Sequence, residues 1–130
     1  QRGVLGRLED DLKTESSLPD YVFITPDMCS DTHDCPVRTG DAWLSREVPK
    51  ILASPAFTTK NSLLVVTYDE GSRSSNHIVT VFAGPAARKG YTSETRYTHY
   101  SLLRTIGDAW GLDPLTDNDR NAVGMAELLN

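Results

Sequence analysis

Two adjacent carboxylates, Asp69 and Glu70, directly follow the apolar run 62–68 and are the most informative residues of the sequence. Like charges side by side at the end of a covered strand are costly unless a cation neutralises them. Carboxylate oxygens are hard ligands that suit Ca²⁺, Mg²⁺ or Mn²⁺ and tolerate Zn²⁺. The pair therefore predicts a site for a divalent metal ion. Asp-Glu-Gly is also ordinary turn chemistry, so a solvated turn is the alternative.

A second group of titratable residues stands between the two cysteines, Cys29 and Cys35, with Asp31 and His33 at its centre. A histidine there can bind a phosphoryl oxygen, act as a general acid or base, or ligate a metal. The spacing of the cysteines is too long for a C-x-x-C redox motif, and two thiols alone do not build a structural zinc site. We therefore expect a disulfide that stiffens this loop and places the protein outside the cytosol. The alternative is a polar surface loop with unpaired thiols, whose aspartates serve turns.

The third candidate is His99, which precedes the amphipathic segment 100–110. The N-terminus of a helix carries partial positive charge, which favours a bound anion and keeps a histidine neutral. A histidine beside a helix cap is also commonplace, so a purely structural role stays open. His77 leads from a polar loop into a strand and is predicted to be structural.

Hydrophobic spacing predicts the elements that must position these residues. Helices are expected at 3–14, 41–54, 100–110 and 122–129, and strands at 21–25, 62–68 and 78–83. Pro49 lies inside the second helix and is expected to kink it or to begin a new short helix. Thr98 is the expected N-cap of the third helix, and Gly111 stands just past its end.

The order of these elements predicts an α/β fold, a layered sandwich with a mainly parallel sheet. Ligands bind outside the carboxyl ends of such strands, so Asp31, His33 and the 69–70 pair are expected at one edge, together with the third strand end at 84–85. The continuously apolar strands imply sheet partners on both edges. The alternative is a small sheet of three to four strands that is complete in itself.

Composition excludes several classes of protein. The chain has 130 residues, 13 Lys and Arg against 18 Asp and Glu, and a net charge of −5, which argues against nucleic-acid binding. No apolar run approaches the roughly 18 residues of a membrane span. No G-x-S-x-G elbow, P-loop, G-x-G-x-x-G or H-E-x-x-H motif is present, and no serine or threonine has the local signature of a nucleophile.

An ordered series of motifs covers nearly the whole chain. The stretches are LPDYVFITPD (18–27), DTHDC (31–35), GDAWL (40–44), PKILASP (49–55), LVVTYDE (64–70), FAGP (82–85) and THYSLLRTI (98–106), followed by GL (111–112). The series resembles the phosphoesterase family that holds bacterial acid phosphatases and phospholipases C, within the alkaline-phosphatase-like superfamily. The loop with cysteines looks most like secreted acid phosphatases of the phosphatidylinositol-3-phosphatase type.

The resemblance implies a role for each candidate residue. Asp69 and Glu70 match the family's metal-site carboxylates, and His33 matches an active-site histidine near the phosphoryl group, with Asp31 beside it. His99 falls on the histidine of the family's His-x-Ser-x-Leu stretch. The implied activity is hydrolysis of phosphate esters through a metal-assisted phospho-enzyme, acting on a phosphorylated small molecule or a lipid headgroup.

The resemblance also implies that residues 1–130 are the C-terminal portion of a single phosphoesterase domain. The family's Glu-Asn metal pair and its Ser or Thr nucleophile belong to an N-terminal half that precedes Gln1. The chain is therefore expected to need that half as a partner and to be inactive alone. Two other functions stay open: a phospholipase C or phosphodiesterase, and a non-catalytic secreted module that binds a metal or an anion. A third interpretation is that the acidic loops are solvated surface and that the chain is a structural fragment.

Overall fold

A computed structural model describes residues 4–14, 16–71 and 74–130, with side chains from Leu8 onwards. The chain divides into two compact units, residues 1–64 and 65–130. Within the described residues, no helix combines the length and the apolar character needed to cross a membrane.

Among its described residues, the first unit has three helices: α1 (Val4–Asp11), α2 (Val37–Leu52) and α3 (Pro55–Thr58). The predicted first helix is confirmed over 4–11 and ends three residues early, while residue 3 lies outside the described residues. Helix α2 begins four residues before its predicted start, directly after Pro36. The segment between the predicted strand over 21–25 and α2 is shorter for that reason.

The apolar core of the first unit forms where α2 meets α3. Ile51, Ala56 and Phe57 are buried together, and six half-buried side chains pack against them: Leu8, Leu12, Leu18, Ile24, Leu52 and Leu64. Pro49 lies inside α2 without ending it, and its carbonyl accepts the N–H of Ala53 at 3.0 Å. A helix break at Pro49 was therefore the wrong expectation. The short helix starts instead at Pro55, where the fixed φ of proline suits the first helical position.

The predicted strand over 21–25 is not formed. In the described part of the chain these residues form neither helix nor strand, and the sheet contains only β1 and β2 (Leu64–Thr67 and Thr80–Ala83). Ile24 packs on the core, whereas Phe23 is 77% exposed. An apolar β-branched run fits a strand only where a second strand completes its hydrogen bonds, so the local pattern alone was not decisive here.

Two strands, β1 (Leu64–Thr67) and β2 (Thr80–Ala83), pair antiparallel. The hydroxyls of Thr67 and Thr80 lie 2.8 Å apart across the pair. Both strands are shorter than predicted. Because the pair is antiparallel, β2 ends at the opposite edge from Asp69, which corrects the expectation that Gly84 and the carboxylates share one edge. The mainly parallel layered sheet remains a prediction.

Helix α4 (His99–Trp110) confirms the predicted third helix and both of its ends. Thr98 is the N-cap, and its N–H donates to Ser101 Oγ at 3.1 Å. Gly111 ends the helix with a left-handed φ of 63°. The buried residues of α4 are Ser101 and Thr105, whereas Trp110 at the end of this amphipathic helix is 48% exposed.

The C-terminal segment differs from its prediction. A one-turn helix, α5 (Asp117–Arg120), begins at a capping box formed by Thr116 and Asp119, and the expected helix over 122–129 is reduced to a 3₁₀ turn at Ala126–Leu128. The end of the chain returns to the residues after β2. Ala87 and Leu129 form a β-bridge, and Arg88 N–H donates to the Leu128 carbonyl at 2.8 Å.

Glu127 is the centre of a cluster of hydroxyl groups. Its carboxylate accepts from Tyr91 Oη at 2.8 Å, from Tyr97 Oη at 2.6 Å and from Ser93 Oγ. We call these four residues the hydroxyl cluster. The donors stabilise the charged carboxylate, with Ser93 contributing most and Tyr97 next, and hold the pKa of Glu127 at about 2. The Glu127 bond in turn raises the pKa of Tyr91.

The low pKa of Glu127 predicts an acid-sensitive contribution to stability. The carboxylate in the unfolded chain titrates near its ordinary value of 4.5, so the stabilisation is complete above pH 4.5 and is lost as the pH falls towards 2. The difference in free energy of unfolding between the wild type and Glu127→Gln should therefore shrink between pH 5 and pH 2. Urea unfolding at several pH values measures this difference. A difference that stays constant across that range would contradict the assignment.

Candidate active site

The loop that carries Asp31 and His33 is organised by its own short-range bonds. Asp27 Oδ1 accepts the N–H groups of Cys29 at 3.0 Å and Ser30 at 3.1 Å, and its Oδ2 accepts Ser30 Oγ at 2.8 Å. The Ser30 hydroxyl contributes most to lowering the pKa of Asp27. Cys29 and Cys35 are joined by a disulfide, as predicted, with their Cα atoms 4.6 Å apart. A covalent ring thus encloses the two candidate residues.

The loop also makes a close contact with helix α2. Thr32 has a φ of 76°, an uncommon conformation for a residue with a β-carbon. Gly40, one turn into α2, is buried beneath it. A β-carbon at Gly40 would lie 2.4 Å from Thr32 Cγ2 and 2.9 Å from the Ser30 carbonyl oxygen. The absence of a side chain at residue 40 therefore allows the loop to lie against the helix.

Asp31 and His33 lie side by side on this loop with different exposure. Asp31 is half-buried, and its Oδ1 accepts the N–H of His33 at 2.8 Å. The imidazole of His33 is exposed. Asp31 thus fixes the backbone of His33 and leaves the ring facing outward, where it can meet an anion from solvent. A structure with these contacts suits a presented histidine better than a buried structural one.

Asp69 and Glu70 begin the turn that follows β1. Both side chains are exposed, and Asp69 Oδ1 accepts the N–H of Glu70 at 3.0 Å. Gly71 N–H donates to Asn76 Oδ1 at 2.7 Å, and a β-carbon on Gly71 would approach the backbone of His77 to 2.7 Å. The turn is therefore closed tightly behind the carboxylates. The predicted polar loop 71–76 includes residues 72 and 73, which lie outside the described residues.

His99 lies against the same turn. Its Nε2 is 2.7 Å from the backbone carbonyl oxygen of Asp69, thirty residues earlier in the chain. A carbonyl oxygen only accepts hydrogen bonds, so Nε2 must carry the hydrogen. The lone pair of the neutral ring is then on Nδ1. The second unit thus brings together three of the predicted residues: Asp69, Glu70 and His99.

The donor chemistry of this turn fits a metal ion only in part. Asp69 and Glu70 offer the oxygen ligands that hard divalent cations prefer. In the described residues, however, no three side chains of the His, Cys, Asp and Glu types are grouped so that they could hold a metal ion. The second unit therefore offers two carboxylates of the right type but not a complete coordination shell.

Three supporting features were missed from the sequence: the Asp27–Ser30 turn, Gly40 and Glu127. The Asp27–Ser30 turn had a local signal, since an aspartate three residues before a serine is a common turn pattern. Gly40 had a weaker one, a glycine next to a helix start. Glu127 had none, because its hydroxyl partners stand thirty or more residues earlier in the chain.

Comparison with known proteins bears on the five candidate site residues that the sequence predicted. Residues 2–113 match the model of the Phosphoesterase family. The chain belongs to this family. The matched stretch contains Asp31, His33, Asp69, Glu70 and His99, and it ends before Glu127. This result confirms the family resemblance inferred from the motif series.

Several curated proteins resemble this phosphoesterase chain. It is 42% identical over 112 residues to a phosphatidylinositol-3-phosphatase of Mycobacterium tuberculosis, with 85% of the chain and 36% of that protein covered. It is 40% identical over 111 residues to a phosphate-repressible acid phosphatase of Penicillium chrysogenum, covering 82% and 26%. An acid phosphatase of Aspergillus fumigatus is 38% identical over 112 residues, covering 82% and 25%. The chain thus spans between a quarter and about a third of these relatives. No solved structure matches it.

The contact beneath the His33 loop predicts opposite effects for two helical glycines. Gly40→Ala should lower the free energy of unfolding by about 1–3 kcal/mol, because the new methyl group overlaps Thr32 and Ser30. The matched change Gly107→Ala in α4 meets only the Leu112 carbonyl at 3.8 Å and should raise stability by up to about 1 kcal/mol through helix propensity. Chemical denaturation of both variants checks the pair. A Gly40→Ala variant as stable as the wild type would show that the loop does not need this contact.

Proposed function

We propose that this chain is the C-terminal part of a phosphoric ester hydrolase, an acid-phosphatase-like phosphomonoesterase. The observation that carries the proposal is that the stretch matching the Phosphoesterase family contains all five candidate site residues. The named relatives are acid phosphatases and a phosphatidylinositol-3-phosphatase, so a monoester substrate is preferred to a diester. The chain covers only a fraction of each relative, which supports a site completed by residues outside it.

His33 and His99 would act on the phosphoryl group in different ways. His33 is exposed on a loop held by a disulfide and an Asp31 bond, so its ring can reach a bound phosphate without a large loss of loop entropy. His99 has Nε2 engaged with the Asp69 carbonyl, which leaves Nδ1 as the atom that can accept or donate a proton. Hydrogen bonds aimed at the phosphoryl oxygens stabilise the charge of the transition state.

Asp69 and Glu70 would hold a divalent metal ion, whether calcium, magnesium, manganese or zinc, together with ligands outside this chain. When bound, the metal neutralises negative charge on the phosphoryl oxygens. The hydrogen bond between Asp69 Oδ1 and the Glu70 N–H orients the first carboxylate, and the tight turn at Gly71 follows directly after the second. A serine or threonine outside this chain would be the nucleophile, giving a phospho-enzyme that water then hydrolyses.

The disulfide also supports a location for the enzyme. Stable disulfides form in oxidising compartments and are rare in the cytosol. The Cys29–Cys35 bond therefore supports an extracytoplasmic or secreted phosphatase. A phosphorylated metabolite or a lipid headgroup would be accessible to it there.

A carboxylate-to-amide change at Asp69 tests the proposed activity. In the full-length protein, Asp69→Asn should lower kcat/KM for p-nitrophenyl phosphate on the order of 100-fold, because it removes a charged ligand that stabilises the transition state. The melting temperature should change little, because the Asp69 side chain is exposed. Asp113→Asn, an exposed residue at the end of the family match, is the matched control and should keep wild-type kinetics. Wild-type turnover by Asp69→Asn would refute the role.

The incomplete site predicts that the 130 residues alone do not turn over substrate. Purified residues 1–130 should hydrolyse p-nitrophenyl phosphate no faster than buffer, because the proposed nucleophile lies outside them. Adding the remainder of the protein as a separate chain should restore activity where the two parts associate. Robust hydrolysis by residues 1–130 alone would place a nucleophile within this sequence.

A further inference from the structure

The three residues 125–127 contact the chain on both sides of His99. On the N-terminal side, Tyr97 Oη donates to Glu127 Oε1 at 2.6 Å. On the C-terminal side, Met125 N–H donates to Thr105 Oγ1 at 2.8 Å, and Thr105 Oγ1 in turn donates to the Ser101 carbonyl at 2.7 Å. His99 is therefore bracketed by two connections to one short segment.

The segment before His99 depends on these bonds for its conformation. Residues 91–98 form neither helix nor strand, so no regular ladder of hydrogen bonds holds them. Three of their side chains, Tyr91, Ser93 and Tyr97, donate instead to the one carboxylate of Glu127. When an irregular segment is held at a single acceptor, removing that acceptor allows its backbone to leave the native conformation.

Further contacts hold Glu127 itself in place. The Arg88 guanidinium carbon lies 4.0 Å from the centre of the Tyr91 ring, and Arg88 N–H donates to the Leu128 carbonyl at 2.8 Å. The side-chain amide of Asn130 donates to the carbonyls of Pro85 and Ala87 at 2.9 and 3.0 Å. The acceptor is thus carried by a segment that is bonded to the residues after β2.

The hydroxyl cluster is connected to the His99 imidazole through only a few residues. Tyr97 is two residues before His99, with the helix cap Thr98 between them. The Thr98–Ser101 bond sets where α4 begins, while the Tyr97–Glu127 bond sets the direction from which the chain enters it. The direction of entry and the first turn together determine whether Nε2 of His99 reaches the Asp69 carbonyl.

We propose that Glu127 is a positioning residue for His99, acting through the hydroxyl cluster to keep the imidazole Nε2 on the Asp69 carbonyl. Glu127 lies beyond the stretch that matches the family, and its carboxylate bonds to Tyr91, Ser93 and Tyr97 rather than to a candidate site residue in the described part of the chain. Its effect on catalysis rests on the proposed phosphatase function, whereas its effect on the His99–Asp69 hydrogen bond does not.

The test compares Glu127→Gln with Glu94→Gln in the full-length protein. Glu94 is an exposed glutamate in the same segment, so the control removes the same charge without touching the cluster. In ¹H–¹⁵N spectra of histidine-labelled protein, assigned with His99→Gln, the wild type and the control should show a protected His99 Nε2–H. Glu127→Gln should lose this signal to solvent exchange. Its kcat for p-nitrophenyl phosphate should fall about tenfold, with KM within twofold of the wild type.

A second variant keeps the test decisive where Glu127→Gln does not fold. Tyr97→Phe removes one hydroxyl and leaves the carboxylate and its other donors in place, and it should reproduce the loss of the His99 signal. A folded variant that loses only melting temperature, with the His99 signal and kcat at wild-type values, would overturn the proposal. If the wild-type protein hydrolyses no phosphate ester, the proposed function fails, and the His99 signal alone then decides the positioning role.

Discussion

One hydrogen bond, from His99 Nε2 to the Asp69 carbonyl, joins the parts of the second unit that carry the candidate site residues. It connects the turn after β1 with the first residue of α4 across thirty residues of sequence. Because the acceptor is a backbone carbonyl, the bond fixes the ring orientation and the position of the hydrogen without neutralising the Asp69 carboxylate. The bond therefore does not use the Asp69 carboxylate, and it leaves Nδ1 of the imidazole for other partners.

The two candidate histidines differ in the range of the contacts that hold them. His33 is held locally, inside a disulfide ring whose turns are bonded by Asp27 and Asp31. His99 is held by distant contacts, through Asp69 on one side and Tyr97 with Glu127 on the other. A local ring restricts the unfolded chain as well as the folded one, so its geometry costs little entropy on folding. A non-local arrangement such as that of His99 is stabilised by the packing of the whole unit. It is lost when that unit unfolds locally.

Local physics explains which features could be predicted from the sequence. The N-cap at Thr98, the left-handed Gly111 and the disulfide all depend on residues within a few positions of each other, and all three are confirmed. Whether a strand forms over 21–25 depends on whether distant residues supply a partner strand. Whether the helix breaks at Pro49 depends on the core that the helix packs against. In the first case no partner strand is present in the described part, and in the second the buried Ile51 stabilises the last turn. The five candidate site residues were chosen by residue type and by the family resemblance, and their roles stay a prediction; the contacts that orient them were not predicted.

The position of Glu127 shows why residues that belong to a motif are easier to recognise in a sequence than residues that support them. The proposed chemistry at a phosphoryl group would require particular side chains, here two imidazoles and two adjacent carboxylates, and all of them lie within the family match at 2–113. Holding a loop demands only an acceptor that reaches the available donors, and many side chains and positions satisfy that condition. A carboxylate bonded to three hydroxyls is nevertheless an unusually strong acceptor, because each donor favours the same charged state. The segment outside the family match can therefore determine the geometry of a histidine within it.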